Sequence, residues 1–388
     1  MKPREIVKGV SSVGVIDWHR QLFDSLIPLP DGTSYNSYLV EGSEKTVLID
    51  TVDPPFAGEL LENLSGVKKL DYIVANHAEQ DHSGTLPEML DRFPEAKVVC
   101  SEKCRGMLID LLALPEDRFI TVADGETLPL GDRTLRFIFT PWVHWPETIS
   151  TYLEEEKILF SCDFFGSHLA TTDLYAFDWC RVYESAKRYY GEIMMPFRTI
   201  IEKNLEKIKD LETKLICPSH GPIYDRPEKI VAAYRDWASG PLKKSVVLPF
   251  VSMHGSTALM ADHLLAALAG KGLTVHPFDL TSTDAGKLVI ALVDASALAL
   301  GTPTVLAGPH PLAANAAILV NALKPRLKHA AIFGSYGWGG KTVETLTGLL
   351  ANLKADMLEP VTCKGLPGPE AFAALDRTAE ELARRLSG

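Results

Sequence analysis

Apolar positions follow two different rhythms along the chain. Up to about residue 240, short runs rich in Val, Ile, Leu and aromatic residues alternate with polar loops and read as strands. The runs 35–40 and 46–50 predict a hairpin across Glu41-Gly42-Ser43. Further strands are predicted at 71–75, 97–100, 134–140, 157–160 and 214–217, with weak period-two alternation at Leu135, Phe137 and Phe139. Helices are expected to be few here. The clearest spans 199–211, where Ile201, Leu205, Ile208 and Leu211 form one stripe.

Beyond about residue 241 the chain turns to Ala, Leu and Gly, and strands alternate with helices. Strands are predicted at 246–251, 273–276, 296–300, 330–333 and 357–361, and helices at 258–269, 312–323, 341–353 and 370–386. The last helix aligns Phe372, Leu375, Ala379, Leu382 and Leu386. Periodicity leaves 285–293 ambiguous, but the alternation calls for a helix there. Five strands with five helices imply a doubly wound parallel sheet. The seam lies at 238–244, where Gly240-Pro241 precedes two lysines, so the domains are predicted as 1–242 and 243–388.

A length of 388 residues agrees with about two domains. With 50 acidic and 39 basic side chains the net charge is -11, which argues against nucleic acid as a partner. The six cysteines form no Cys-x-x-Cys pair, which suggests reduced thiols and excludes a zinc ribbon. No apolar run approaches a membrane span, and the start of the chain has no secretory pattern. A soluble cytoplasmic protein without a membrane partner is expected.

The chemistry concentrates at strand ends. His77-Ala78-Glu79-Gln80-Asp81-His82 follows the strand 71–75 directly, placing four potential metal ligands within six residues. His144, Asp163 and His220 each follow another predicted strand. Singly, each would be an ordinary loop or capping residue. Together, at strand ends that a sheet brings to one edge, they predict a metal site.

This pattern resembles the metallo-β-lactamase fold and, within it, the flavodiiron branch. Glu79 stands where hydrolytic zinc members carry a second His. The resemblance implies an α/β chain: an N-terminal metallo-β-lactamase-like αββα sandwich followed by a flavodoxin-like doubly wound parallel sheet. It assigns His77, Glu79 and His144 to one iron, Asp81 and His220 to a second, and Asp163 to the bridge between them. His82 is expected beside the site but off the metal. Three carboxylates are hard donors that suit iron, and with one hydroxide they nearly balance two ferrous ions. Asp50 is expected to orient the first loop by hydrogen bonding. His19 and His168 are expected to reach the substrate pocket.

Three loops of the second half suggest a flavin. Ser252-Met253-His254-Gly255-Ser256-Thr257 links the first strand to a helix, as a phosphate-binding turn would. Gly301-Thr302-Pro303-Thr304 follows the third strand, and Gly334-Ser335-Tyr336-Gly337-Trp338-Gly339-Gly340 follows the fourth. Glycines allow close approach and the aromatics can stack on a flat ring. There is no Gly-x-Gly-x-x-Gly and no P-loop. Both later loops resemble flavodiiron proteins, while His254 and Val305-Leu306-Ala307 depart from them; FMN is expected.

The resemblance implies reduction of O2 to water and of NO to N2O, with FMN feeding the iron pair. It implies a head-to-tail homodimer or a dimer of such dimers, with Trp145 touching the partner's flavin. No rubredoxin domain is expected in the chain, so the electron donor is external, either rubredoxin or a reduced deazaflavin. The alternatives are a zinc hydrolase with an accessory flavin domain, an electron-transfer flavoprotein without metal catalysis, and a flavin-dependent sensor.

Overall fold

The computed structural model describes residues 2–23 and 25–387. Met1 and Gly388, the outer ends of the two predicted domains, lie outside the described residues. The chain forms two compact units, one of residues 1–190 and 197–239, the other of 191–196 and 240–388. The first unit thus closes inside the predicted seam, three residues before the predicted boundary at 242, and omits a six-residue segment.

In the first unit two sheets lie face to face. A seven-stranded sheet runs Arg4–Val7, Val10–Ser12, Tyr38–Glu41, Thr46–Ile49, Tyr72–Val74, Lys97–Ser101 and Phe119–Val122 in spatial order. A five-stranded sheet runs Thr127–Pro129, Thr134–Phe139, Ile149–Leu153, Ile158–Cys162 and Leu215–Pro218. Period-two alternation sorts the side chains. Val47, Ile49, Val74 and Val99 enter the core between the sheets, where Phe137, Ile149, Ile158 and Phe160 meet them. Leu48, Ile73, Val98 and Cys100 point the other way, against Leu60, Met89, Leu90 and Leu108 of the outer helices. Burying both faces explains why these strands read as unbroken apolar runs.

The expectation of few helices here is overturned. Glu102–Leu112, Trp179–Tyr189 and Pro227–Ser239 are helices as well as Arg198–Ile208. Pro227–Ser239 carries a stripe of Ile230, Ala233, Tyr234 and Trp237, and the first two helices start at side-chain caps. Ser101 accepts a hydrogen bond from the Cys104 N–H at 3.2 Å, and Asp178 accepts one from the Arg181 N–H at 3.2 Å.

The second unit is the expected parallel sheet. Its order is Thr274–Asp279, Lys243–Phe250, Ala295–Gly301, His329–Tyr336 and then the last strand, with every pairing parallel. Helices bury one face around Val246, Leu248, Leu264 and Leu382, and the other around Val247, Leu298, Leu292 and Val320. The ambiguous 285–293 is the helix Ala285–Leu292, capped by Asp284. The last strand is split into Asp356–Met357 and Val361–Lys364, because Pro360 in between has no N–H for the ladder.

Candidate metal centre and flavin pocket

The chain places all four predicted ligand segments at strand ends, as loops leaving Tyr72–Val74, Thr134–Phe139, Ile158–Cys162 and Leu215–Pro218. Their donor atoms converge on Asp163. Its Oδ2 lies 3.4 Å from His77 Nε2 and 3.4 Å from His144 Nε2. Its Oδ1 lies 3.1 Å from His82 Nε2 and 3.4 Å from His220 Nε2. Each oxygen of one buried carboxylate therefore faces a different half of the cluster, the geometry of a bridge.

The first half is His77, Glu79, His144 and Asp163. Glu79 Oε2 sits 3.1 Å from His77 Nε2 and 3.0 Å from His144 Nε2. Such spacings match the edges of a coordination shell whose metal–nitrogen bonds are about 2.1 Å. The second half is Asp81, His82 and His220. His220 Nε2 is 3.3 Å from Asp81 Oδ2, and His82 Nε2 is 3.2 Å from Asp81 Oδ1.

His82, expected beside the site, lies close against the cluster. Its ring is buried, neither nitrogen has a hydrogen-bond partner, and Nε2 faces the same space as Asp81 and His220. Both oxygens of Asp163 and Asp81 Oδ1 are likewise buried without partners. Unsatisfied buried donors and acceptors are costly, and a pair of cations between them would satisfy the carboxylate oxygens and His82 Nε2. The residues therefore fit a dinuclear centre.

The electrostatics agree. Burial alone would raise the carboxyl of Asp163 and lower the imidazoles. Instead His82, His144 and His220 hold Asp163 well below the usual carboxylate range. Burial lowers His144 and His220, but Asp163 with Glu79 or Asp81 lifts them to about 9 and about 10. The carboxylates demand positive charge at this point.

Neighbouring groups fix the ligands. Asp50 does what its position predicts: it accepts from the Asn76 N–H and from Asn76 Nδ2, each at 2.8 Å, just before His77. Burial pushes its carboxyl up to about 6. Sequence reading missed Glu147. It accepts from His77 Nδ1 at 2.6 Å and from the Ala78 N–H at 3.0 Å, so it sets both the tautomer and the loop. The available signal was a carboxylate three residues after ligand His144.

A cavity of about 190 Å³ opens beside Glu79 and Asp81, lined also by Arg20, Phe23, Thr33, Tyr35, Asp53 and His168. His168 reaches it as expected. His19 does not: it is exposed, its N–H bonds the Asp17 side chain at 3.0 Å, and Arg20 takes the place on the wall. Trp145 packs edge-on against His77, with ring centroids 5.0 Å apart, and against the outer apolar core.

In the second unit a cavity of about 210 Å³ is lined by Ser252, Met253, His254, Ser256, Thr257, Pro303, Thr304, Ser335, Tyr336 and Gly337. All three predicted loops contribute. Gly255, Thr302, Trp338 and Gly339 lie outside the wall, with Trp338 65 % exposed, and the unpredicted Gly365 joins it. Gly255 sits at φ 89° and caps the helix Ser256–Gly270 without a side-chain bond. The first N–H groups of that helix therefore face the cavity loop uncapped, and the Ser252 hydroxyl is buried without a partner. This is a fitting cradle for a phosphate.

The two arrangements define a dinuclear metallo-β-lactamase-type site joined to a flavodoxin-like module. Residues 33–221 match the family model described as ODP family beta lactamase. A nitric oxide reductase of Moorella thermoacetica is 34% identical over 100% of this chain and 99% of its own. A coenzyme F420H(2) oxidase of Methanothermobacter marburgensis is 34% identical over 91% of each. Among solved structures, rubredoxin oxygen:oxidoreductase from Desulfovibrio gigas superposes with a TM-score of 0.96 at 31% identity, covering 100% of this chain and 99% of that one. The flavodiiron protein from Giardia intestinalis gives 0.94 at 32%, covering 100% and 97%. The chain belongs to the flavodiiron family, also called type A flavoproteins, and is an oxidoreductase.

Proposed function

We propose that this chain reduces O2 to water and NO to N2O at a pair of iron ions, using electrons delivered through FMN. The carrying observation is the donor set: imidazoles and carboxylates from four strand ends meet around Asp163, in a chain that also bears the flavin loops. Glu79 in place of a third imidazole on the first metal favours iron over a zinc hydrolase. The uncapped helix beside Ser252 favours a flavin with one terminal phosphate.

Bound there, two irons would supply electrons one at a time and open positions for a diatomic, and FMN would relay electrons to them. The protein supplies the rest. Asp163 holds the two halves at a fixed separation. Glu147 and Asp50 keep His77 and its loop in place. Phe23, Tyr35 and Leu29 line the cavity with apolar surface that suits small neutral gases. Four protons and four electrons are consumed per O2, and two of each per pair of NO, so the cavity must also admit protons. Asp53 and Tyr35 on its wall, and Arg20 paired to Asp53 at 3.1 Å, are polar groups through which they can enter.

The proposed electron donor is external, a rubredoxin or a reduced deazaflavin; one relative above is named for rubredoxin and another for coenzyme F420H(2). Each unit carries one site, so a head-to-tail homodimer is part of the proposal, with one subunit's flavin serving its partner's metals. We place the protein in the cytoplasm, since all six cysteines are free. No helix among the described residues is long and apolar enough to cross a membrane.

Metal analysis after growth with equal iron and zinc tests the reading, together with Asp163→Ala. Two irons per chain are expected, and the variant should keep its flavin yet lose O2 and NO consumption. Two zincs and no iron, or unchanged consumption in the variant, would overturn it.

A further inference from the structure

The flavin cavity is lined with hydroxyl side chains, those of Ser252, Ser256, Thr257, Thr304 and Ser335. Among the described residues, no lysine, arginine or carboxylate lines it, and its titratable residues are His254 and Tyr336. The phosphate contacts on offer lie in the first loop. Gly255 leaves the helix Ser256–Gly270 without a side-chain cap, so its leading N–H groups are open to an anion. The Thr257 hydroxyl is 3.2 Å from Ser335 Oγ and ties this loop to the third, while Ser252 Oγ is buried without a partner. All of these groups are dipoles. A phosphate monoester carries about -1.5 to -2 charges at pH 7, and dipoles alone leave that charge uncompensated.

His254 stands one residue before the cap, exposed and on the cavity wall. It is the one residue of that wall able to carry positive charge. The charged groups of the surrounding elements stand elsewhere. On the helix Ser256–Gly270, Asp262 is exposed and His263 is tied to Asp376 at 2.8 Å. Asp279, at the end of the neighbouring strand, bonds Thr281. Lys341 after the third loop, Lys364 before Gly365 and Glu370 at the start of the last helix are exposed, and none of them lines the cavity.

We propose that His254 is the countercharge of the flavin phosphate, adding to the affinity for a phosphorylated flavin when its ring is protonated and adding nothing when it is neutral. The inference rests on reading this cavity as the FMN site. It makes retention of the cofactor depend on pH through one side chain. Imidazoles ordinarily titrate at about pH 6.5, and an anionic partner moves that range upward. The gain from such a pair is complete below the ordinary value and is lost as pH rises through the raised one. Riboflavin has no phosphate and gains nothing from the charge.

The test titrates the full-length protein, stripped of flavin, with FMN and with riboflavin at about pH 6 and about pH 8.5, read by flavin fluorescence. His254→Gln removes the charge, and His254→Lys keeps one at both pH values. At the lower pH, His254→Gln should bind FMN about tenfold more weakly than the wild type, and added salt should narrow the gap. At the higher pH the two should agree, and His254→Lys should bind FMN more tightly than either. Riboflavin should have the same Kd in the wild type and His254→Gln throughout. Circular dichroism shows that each variant is folded; if His254→Gln is not, the His254→Lys comparison at the higher pH decides, and no gain there would overturn the inference. Equal FMN affinity in the wild type and His254→Gln at the lower pH would overturn it too. So would a loss that is the same at both pH values or is shared by riboflavin. Each of these leaves the flavin site standing. A wild type that binds neither flavin would overturn the reading of the cavity, and this inference with it.

Discussion

At the scale of single residues, the metal cluster is held by partners that are themselves buried. Glu147 bonds both His77 and the next peptide N–H, and burial in this position is tolerated because His77 keeps the carboxyl ionised. Glu147→Ala should therefore weaken metal binding about 10–100-fold. Glu147→Gln, which retains the acceptor, should cost less. Competition with a graded chelator measures both, and equal affinity in wild type and Glu147→Ala would contradict the role. The six residues proposed as ligands were legible as a group in the sequence because each follows a strand. Glu147 and Arg20 were not legible, since their roles depend on contacts distant in sequence, 70 residues from His77 to Glu147 and 33 from Arg20 to Asp53. How closely His82 approaches was not legible either: the motif supplies the residue, but only the rotamer shows that Nε2 shares space with Asp81.

At the scale of elements, strand ends need both close approach and correct register. Gly334, inside the strand His329–Tyr336, opens the third loop, and a Cβ there would meet the Thr302 carbonyl oxygen of the second loop at 1.8 Å. No side chain can fit against that backbone. Gly334→Ala should push apart the loops at 302–304 and 335–337, costing about 2 kcal/mol and most of the flavin affinity. Flavin fluorescence on titration of the apoprotein reads this directly.

In the other unit, Asp71 pins the start of the strand leading to His77. It accepts from the Thr46 N–H at 3.0 Å and pairs with Lys69 and Lys45 at 2.5 and 3.3 Å. Burial opposes ionisation, but these partners outweigh it and hold the carboxyl below its usual range. Its contribution is therefore full above the unfolded pKa, about 4, and is lost as pH falls below that. Asp71→Asn should lower stability by about 1 kcal/mol at pH 7, with the difference shrinking near pH 3. Denaturant midpoints at the two pH values test it; a constant difference would contradict the assignment. Strands were the easier elements to foresee, as unbroken apolar runs buried on both faces. The helices Glu102–Leu112 and Trp179–Tyr189 were not: the first buries only Cys104 and Leu108, and the second buries Lys187 and Arg188 among its apolar positions.

At the scale of the whole molecule, two independent folds carry two cofactor sites, and the family relationship extends over the full chain. Net charge and cysteine count could exclude partners but not choose one. A subunit forced to remain monomeric should keep its flavin and metal and lose turnover, and a verified monomer with full turnover would contradict the dimer. The central claim is that flavin-borne electrons reach O2 or NO at the metal pair. Its most direct measurement is anaerobic reduction of the flavin by a rubredoxin or a reduced deazaflavin, followed by mixing with limiting O2 or NO and analysis of the products. The account predicts rapid flavin reoxidation with water from O2, without released hydrogen peroxide, or N2O from NO, and neither in Asp163→Ala. Slow reoxidation that yields peroxide from O2 and no N2O from NO, alike in wild type and Asp163→Ala, would contradict it.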